Sequence, residues 1–305
     1  MHQLFTLAAD DPAQHVYNHP FLKTDHGLWL WSGNQGNLVL GGVLLVLGML
    51  WVAGRIRTGP DTMGADRYLT RGRFPQMIEV ICLYLREEVV RPLLHDRTNK
   101  VTPFLWTIFF FILINNLLGL VPLMDIVHIA IPDLKADHET FIGGTATQNI
   151  WVTGALAVIA GIFFNIAAIQ RLGIGGYFAH MTAGSPWFVA WLIFLLEFAG
   201  QVLIKPVALA LRLFANMTAG HILLATLFGF VGQVWGKSLL IQAPVTLISV
   251  VGAIAIMFLE LFVAFLQAFI FMFLTTVFIS LMDHSDEHGH EHEHAHAPGH
   301  EHAHA

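Results

Sequence analysis

The chain has 305 residues, of which 55% are hydrophobic and only 12% are charged. Soluble domains carry about 25% charged residues, so this composition excludes an ordinary soluble domain and indicates a polytopic membrane protein. The net charge of -6 is modest and spread out, which argues against nucleic-acid binding, and the single Cys82 excludes an internal disulfide.

Residues 1–36 are polar and acidic, and they lack the basic start and the small-residue cleavage site of a secretory signal. We expect them to form a segment outside the membrane. Residues 37–54 contain the first apolar run, which is slightly shorter than the roughly 20 residues of a spanning helix. Trp51 extends this run as an interfacial anchor, so the sequence predicts a first span here.

Basic residues are concentrated after this span. Nine of the 15 Lys and Arg residues lie between positions 55 and 100. The positive-inside rule therefore predicts a cytoplasmic location for this segment and an outside location for the N-terminus. Residues 74–96 are predicted to form an amphipathic helix on the membrane surface. Its apolar positions recur at helical spacing and comprise Ile78, Ile81, Cys82, Leu85 and Val89.

Two further spans are predicted in the middle of the chain, at residues 103–122 and 150–169. The connection between them, residues 123–149, is acidic and suits the outer side. After the second of these spans, the Gly-rich sequence "QRLGIGGYFAHMTAGSP" is predicted to form a cytoplasmic turn.

The last two apolar stretches, residues 187–230 and 241–282, are much longer than one perpendicular crossing requires. We expect a hairpin of two long, strongly tilted helices. Residues 283–305 form a His-rich tail without apolar periodicity, which is expected to be disordered and cytoplasmic. The predicted fold is an all-α polytopic membrane protein with about five membrane helices and one amphipathic surface helix.

Arg212 lies deep inside the first long stretch. Placing an arginine at the bilayer centre costs a free energy between about 3 kcal/mol on insertion scales and about 10–17 kcal/mol in simulations. We therefore expect Arg212 to have a function at this position. A snorkelling arginine near a helix end is the alternative. At about 100° per residue, Asn216 lies near +40° from Arg212 and His221 near 180°. Small residues surround the arginine on its own face, namely Ala208, Ala215 and Ala219.

A functional role for His221 is supported by a second ionisable residue, Glu260, in the second long stretch. Gln267 lies seven residues after Glu260 and thus only about 20° from it around the helix. Burial disfavours the charged forms of both an imidazole and a carboxyl group, so a buried pair of this kind can exchange protons near neutral pH. The pair therefore suits a proton relay, and a structural hydrogen bond or ion pair between two helices is the alternative. Arg212 itself does not release protons, but it attracts a carboxylate on a neighbouring chain.

Two motifs, "KPVALALRLFANMTAGHILL" (205–224) and "LELFVAFLQAFIFMFLTTVFISL" (259–281), closely resemble subunit a of F-type ATP synthases. The segment "PFLWTIFFFILINNLLGLVP" (103–122) resembles the same family more loosely. The resemblance implies a stator subunit that holds two offset half-channels against a rotating ring of c subunits. It does not extend to the N-terminal segment or to the His-rich tail.

The resemblance also implies roles for individual residues. Arg212 would face the carboxylate of the ring, separate the two half-channels and block proton leak. His221 and Glu260 would line the outer half-channel. Other polar positions match the family less strongly, and they comprise Asn216, Gln267, Asn116 and, one residue out of register with the arginine motif, Glu197. Some bacterial members carry an acid where this chain has Gly119.

The implied partners are the c-subunit ring, b-type peripheral stalk subunits, the remainder of the ATP synthase complex and the lipid bilayer, without nucleic acid. No cofactor and no active site of the chain's own are expected, only an essential part of a proton-transporting ATPase. The implied location is a bacterial-type inner (plasma) membrane, with several spans, the N-terminus outside and the C-terminus in the cytoplasm.

Two other functions remain open from the residues alone. A metal transporter would use imidazoles of the tail to bind zinc, nickel or copper, with His290, His292 and His294 as candidate ligands. It would also need ligands clustered inside its spans. An ion-coupled secondary transporter would need a self-contained substrate cavity with its own coupling groups. The sequence places no carboxylate in the strip of small residues around Arg212, which argues against this function.

Overall fold

A computed structural model describes residues 20–23, 29–56, 70, 72–121, 123, 127, 141–182 and 187–284. Strands β1 (Pro20–Lys23) and β2 (Trp29–Ser32) form a small antiparallel pair, with Pro20 opposite Ser32. This hairpin was not predicted from the sequence. All other regular structure in the described residues is helical.

The first membrane helix, α1 (Gly33–Ala53), begins four residues before the predicted span. Its start is fixed by a capping box, in which the backbone N–H of Gln35 donates to Ser32 Oγ at 3.4 Å and the backbone N–H of Ser32 donates to Gln35 Oε1 at 3.0 Å. These reciprocal bonds satisfy two backbone donors that a helix start leaves unpaired. The polar cap therefore extends the helix beyond its apolar run.

The predicted surface helix is built from several short pieces. Helix α2 (Arg73–Tyr84) continues into a π-turn (Leu85–Val90), helix α3 (Arg91–Leu94) and a 3-10 turn (His95–Arg97). The predicted apolar positions Ile78, Ile81 and Cys82 pack against the core, as do Leu85 and Val89. The opposite side of α2 is also apolar but exposed, and it carries Phe74, Met77, Val80, Leu83 and Tyr84.

The central helices are longer than the sequence predicted. Helix α4 (Thr98–Leu120) begins five residues before the predicted span. Helix α5 (Ile150–Met181) consists of two helical segments that meet at a kink inside the Gly-rich sequence that was predicted to be a turn. Gly173 forms this kink, with φ 69° and ψ 168°, which glycine adopts without a steric penalty. The chain therefore leaves the helical conformation within the predicted turn, but helical structure extends closer to the break on both sides than the sequence predicted.

The last part of the chain forms the predicted helical hairpin. Helix α6 (Trp187–Ala199), a π-turn (Gly200–Ile204) and helix α7 (Lys205–Val234) make one continuous helical rod, and helix α8 (Leu239–His284) returns beside it. Helix α8 also packs on α4 and α5, while α1 packs on α4. The core between these helices is apolar, and its fully buried members include Leu105, Ile112, Phe164, Leu209, Leu213, Phe271 and Met272.

Five helical stretches in the described residues are long and apolar enough to cross a membrane. They are Gly33–Ala53, Arg73–Leu120, Ile150–Phe178, Phe188–Val234 and Leu239–Leu281. The prediction of an all-α polytopic membrane protein is therefore confirmed.

Close packing of α1 on α4 depends on Gly41. A Cβ atom on Gly41 would lie 2.7 Å from the amide nitrogen of Asn115, whereas a Cβ on Gly48 in the same helix would meet nothing within 4 Å. We expect Gly41→Val to lower the thermal stability of the chain in detergent, because overpacking costs about 1–3 kcal/mol. Gly48→Val is the control and should keep the original stability. Equal melting temperatures of both variants would contradict this account of the packing.

Candidate functional site

The centre of the site is the imidazole of His221, which lies half-buried on α7. Its Nδ1 atom is 2.9 Å from the carbonyl oxygen of Met217 and 3.8 Å from Oε1 of Glu260 on α8. Its Nε2 atom is 2.9 Å from Oγ1 of Thr145 and 3.2 Å from the carbonyl oxygen of Gly119. Both ring nitrogens therefore face hydrogen-bond acceptors.

This environment suits an imidazole that gains and loses a proton. In the neutral ring with the proton on Nδ1, the ring donates to Met217 O, and Nε2 accepts a hydrogen bond from the hydroxyl of Thr145. In the charged ring, Nε2 also carries a proton, which it donates to the carbonyl oxygen of Gly119 or to the Thr145 hydroxyl oxygen. Every ring nitrogen keeps a partner in both states, so a proton can move through His221 without large rearrangement.

Glu260 is buried beside this histidine, with 8% of its surface exposed. Neither carboxyl oxygen has a hydrogen-bond partner among the described residues. An isolated buried carboxylate is strongly unfavourable. The carboxyl group of Glu260 must therefore be protonated or form an ion pair with a protonated His221. The arrangement thus couples the protonation of the two side chains.

Gly220 makes room for this carboxyl group. A Cβ atom at position 220 would overlap the Glu260 carboxyl group, lying 2.9 Å from its Cδ atom. Contacts this short are essentially never seen for a real Cβ atom, so any larger residue at position 220 would displace the Glu260 side chain from its present position. The glycine immediately before His221 therefore belongs to the site.

Two amide contacts continue the polar region between the helices. Asn216 on α7 donates from Nδ2 to Oε1 of Gln267 on α8, at 3.0 Å. Asn116 on α4 is fully buried, donates to the carbonyl oxygen of Ala264 at 3.3 Å, and accepts from the hydroxyl of Thr147 at 2.8 Å. The structure thus joins α4, α7 and α8 through polar side chains that the sequence had singled out separately.

Arg212 lies apart from this cluster. Its side chain is exposed, and so are the small residues of its strip, Ala208, Ala215 and Ala219. Among the residues that the structure describes, none forms a hydrogen bond or an ion pair with Arg212. The arginine and the histidine therefore occupy different faces of α7, as the helical angles predict.

The remaining candidates lie elsewhere. Glu197 is on α6, where it accepts a hydrogen bond from Gln201. His290, His292 and His294 lie outside the described residues. Within the part of the chain that the structure describes, no group of three His, Cys, Asp or Glu side chains is arranged to hold a metal ion.

Sequence reasoning missed Thr145 and Thr147, which contact His221 and Asn116. Thr145 immediately precedes a 3-10 turn (Ala146–Gln148) and Thr147 lies within it, in a connection that was assigned only to the outer side. Their neighbours "TATQN" show no helical or strand periodicity, so nothing in the sequence placed them near the two helices. The importance of Gly220 could have been suspected from its position beside His221 in the motif.

A comparison with known protein families finds one that covers most of the chain. The model of the ATP synthase A chain family matches residues 38–280, which include every helix of the site.

The chain belongs to the ATP synthase A chain family.

Curated relatives in this family agree with that assignment. ATP synthase subunit a of Anaeromyxobacter dehalogenans (strain 2CP-C) is 38% identical over 254 residues, which cover 79% of this chain and 58% of the relative. ATP synthase subunit a of Myxococcus xanthus (strain DK1622) is 36% identical over 252 residues, covering 79% and 74% of the two chains. ATP synthase subunit a 2 of Chlorobaculum tepidum is 41% identical over 217 residues, covering 70% and 54%. The chain thus spans only about half to three quarters of the length of these relatives.

The fit of Glu260 against Gly220 can be tested in this family member by thermal unfolding in detergent. We expect Gly220→Ala to lower the melting temperature, because the added methyl group would overlap the Glu260 side chain and overpacking costs about 1–3 kcal/mol.

Gly154→Ala is the control, because a Cβ at that position meets nothing within 4 Å. Equal melting temperatures of Gly220→Ala and Gly154→Ala would show that the methyl group at position 220 meets no steric conflict with Glu260.

Proposed function

We propose that this chain is the proton-translocating stator subunit of a rotary F-type ATP synthase, with Arg212 separating two half-channels that lead to the carboxylate of a c-subunit ring. One observation carries the proposal. A single α7 helix presents an exposed arginine on a strip of small residues and, on its other face, a histidine coupled to a buried glutamate.

The arginine requires a partner outside this chain. A guanidinium in the apolar zone is expensive, and no described residue of the chain pairs with it. Small residues around it allow another helix to approach closely. A carboxylate carried on a neighbouring subunit would satisfy both conditions, and the permanently charged arginine would keep that carboxylate ionised as it passes.

The proton path would run along the other face of the helix. Thr145, His221 and Glu260 supply a hydroxyl, an imidazole and a carboxyl group in sequence, and each can accept and release a hydrogen-bonded proton. Asn216, Gln267 and Asn116 would extend the polar lining beside it. Because Arg212 does not release protons, it would prevent direct passage from one half-channel to the other.

The same proposal includes the tilt and orientation of the chain in the membrane and its partner subunits. The stretches Phe188–Val234 and Leu239–Leu281 hold 47 and 43 residues, about twice the length of a perpendicular span, so they would lie steeply tilted against the ring. The concentration of basic residues between positions 55 and 100 supports a cytoplasmic location for that segment, so in this proposal the N-terminus would lie outside and the C-terminus inside. The partners would be the c ring, b-type stalk subunits and the rest of the complex, in a bacterial-type inner membrane.

Arg212→Ala should abolish ATP-driven acidification of membrane vesicles that contain the whole complex, because the ring carboxylate loses its partner cation. Passive proton leak through the complex should persist or rise. The assay is run with and without sodium, and acidification that does not depend on sodium identifies the proton as the transported ion. Acidification at the original rate in Arg212→Ala would refute the role of this arginine.

His221→Ala and Glu260→Ala should each slow ATP-driven acidification by at least about tenfold, since a positioned acid–base group contributes roughly 10²–10⁴-fold to proton transfer. Thr145→Val should slow it less, because it removes only the hydroxyl next to Nε2 of His221. Thr226→Val is the matched control, since the hydroxyl of Thr226 donates to the carbonyl oxygen of Ile222 within its own helix. Full flux in both the His221 and Glu260 variants would exclude this pair from the path.

A further inference from the structure

The helical rod α6–α7 contains a π-turn at Gly200–Ile204, between Glu197 and Arg212. The residues that flank it, Ala199 (φ -61°, ψ -40°) and Lys205 (φ -62°, ψ -50°), have ordinary α-helical dihedral angles, so the rod is not broken there. A π-turn closes hydrogen bonds between residues five apart and thus holds one more residue than an α-turn. One residue of this segment is therefore surplus to a regular helix.

The surplus residue changes which face Gln201 occupies. In a regular helix at about 100° per residue, Gln201 would lie about 20° from Arg212, on the exposed strip. Because the π-turn accommodates one surplus residue, Gln201 and Arg212 are separated by the rotation of about ten regular helical residues. Gln201 then lies about 80° from Arg212, between the directions of Leu209 (about 60°) and Leu213 (about 100°). Leu209, Leu213 and Gln201 are all buried, each 1% exposed or less, which agrees with the second position.

Glu197 is turned in the same way. A regular helix would put it about 60° from Arg212 on the side of the exposed strip, and the π-turn brings it to about 40° on the packed side. Asn216 also lies near +40°, and Lys205 near +20°. The π-turn therefore brings Glu197 and Gln201 onto the polar line that Lys205, Arg212 and Asn216 form on α7.

Hydrogen bonds connect the members of this line. Lys205 donates from Nζ to Oε1 of Gln201 at 2.6 Å, and Gln201 donates from Nε2 to Oε1 of Glu197 at 3.2 Å. The ammonium group of Lys205 also lies 5.1 Å from the ring centre of Phe278 on α8, within the range of a cation–π interaction. The buried amide of Gln201 thus links a carboxylate to an ammonium group that is itself fixed against the next helix.

We propose that the surplus residue of the π-turn sets the register of α6 against α7, so that Glu197, Gln201 and Lys205 line the ion path on the side of Arg212 remote from His221. Gln201 is a positioning residue, which holds the Glu197 carboxylate on that line. The role in the ion path depends on the stator function proposed above, whereas the register does not.

Two single-residue deletions test the register in the whole complex. Val202 and Val207 are both exposed valines, 47% and 43%, but only Val202 lies in the π-turn. Deleting Val202 should convert the π-turn into regular α-helix and leave Glu197 and Gln201 in place. Deleting Val207 turns Lys205 by about 100° relative to Arg212.

We expect the Val202 deletion to assemble with the rest of the complex and to retain at least half of the ATP-driven acidification, and the Val207 deletion to lose it. Loss of assembly in the Val202 deletion, or equal damage from both deletions, would overturn the proposal. Recovery of the chain with the purified complex measures assembly independently of conduction. Should Arg212→Ala retain full pumping, the stator function would fail while the assembly of the two deletions still reported the register.

A double-mutant cycle tests the positioning role of Gln201. Gln201→Met keeps the size of the side chain but removes both of its hydrogen bonds in the line, so acidification should fall severalfold. In a Glu197→Gln background the same change should have no further effect, because Gln201 acts through that carboxylate. Equal losses in the two backgrounds would show a merely structural role and contradict the assignment.

Discussion

The free-energy cost of placing ionisable groups in an apolar environment determines how the polar residues of this molecule are arranged. Glu260 is buried between two long helices with no hydrogen bond to its carboxyl oxygens among the described residues, so its protonation is tied to His221, 3.8 Å away. Gly220 removes a Cβ that would overlap the carboxyl group, and the carbonyl oxygen of Gly119 and the Thr145 hydroxyl occupy the far side of the imidazole.

The same cost explains why the polar residues of α7 are divided between two faces. On the packed face, His221 obtains all its partners from this chain. On the exposed face, Arg212 obtains none from the described residues, and its neighbours there are alanines. Because a charged group in an apolar environment is costly, we propose that the partner of this arginine is a rotor carboxylate that faces the strip.

Helix register is controlled at points where the regular α-helix is modified or closely approached. Glycines at positions 41 and 220 leave room for the side chains of Asn115 and Glu260 on the neighbouring helices, because a Cβ atom there would overlap them. The π-turn at Gly200–Ile204 sets a rotation instead, and it brings Gln201 from the exposed strip to the buried face. In our proposal, the surplus residue also explains why Glu197 stands one residue out of register with the arginine motif.

The sequence by itself determined the number and approximate position of the membrane helices, the helical hairpin at the C-terminus, and the separation of Arg212 from His221, because hydropathy and the 3.6-residue period are local properties. It misplaced helix ends, since the Ser32 cap and the conformation of Gly173 depend on few residues with weak signals. Only the tertiary structure decided that Thr145 and Thr147 reach His221 and Asn116, and that Gln201 is buried. Contacts between segments up to 148 residues apart, such as that of Asn116 with Ala264, leave no periodic trace in one sequence, because they arise from how helices pack.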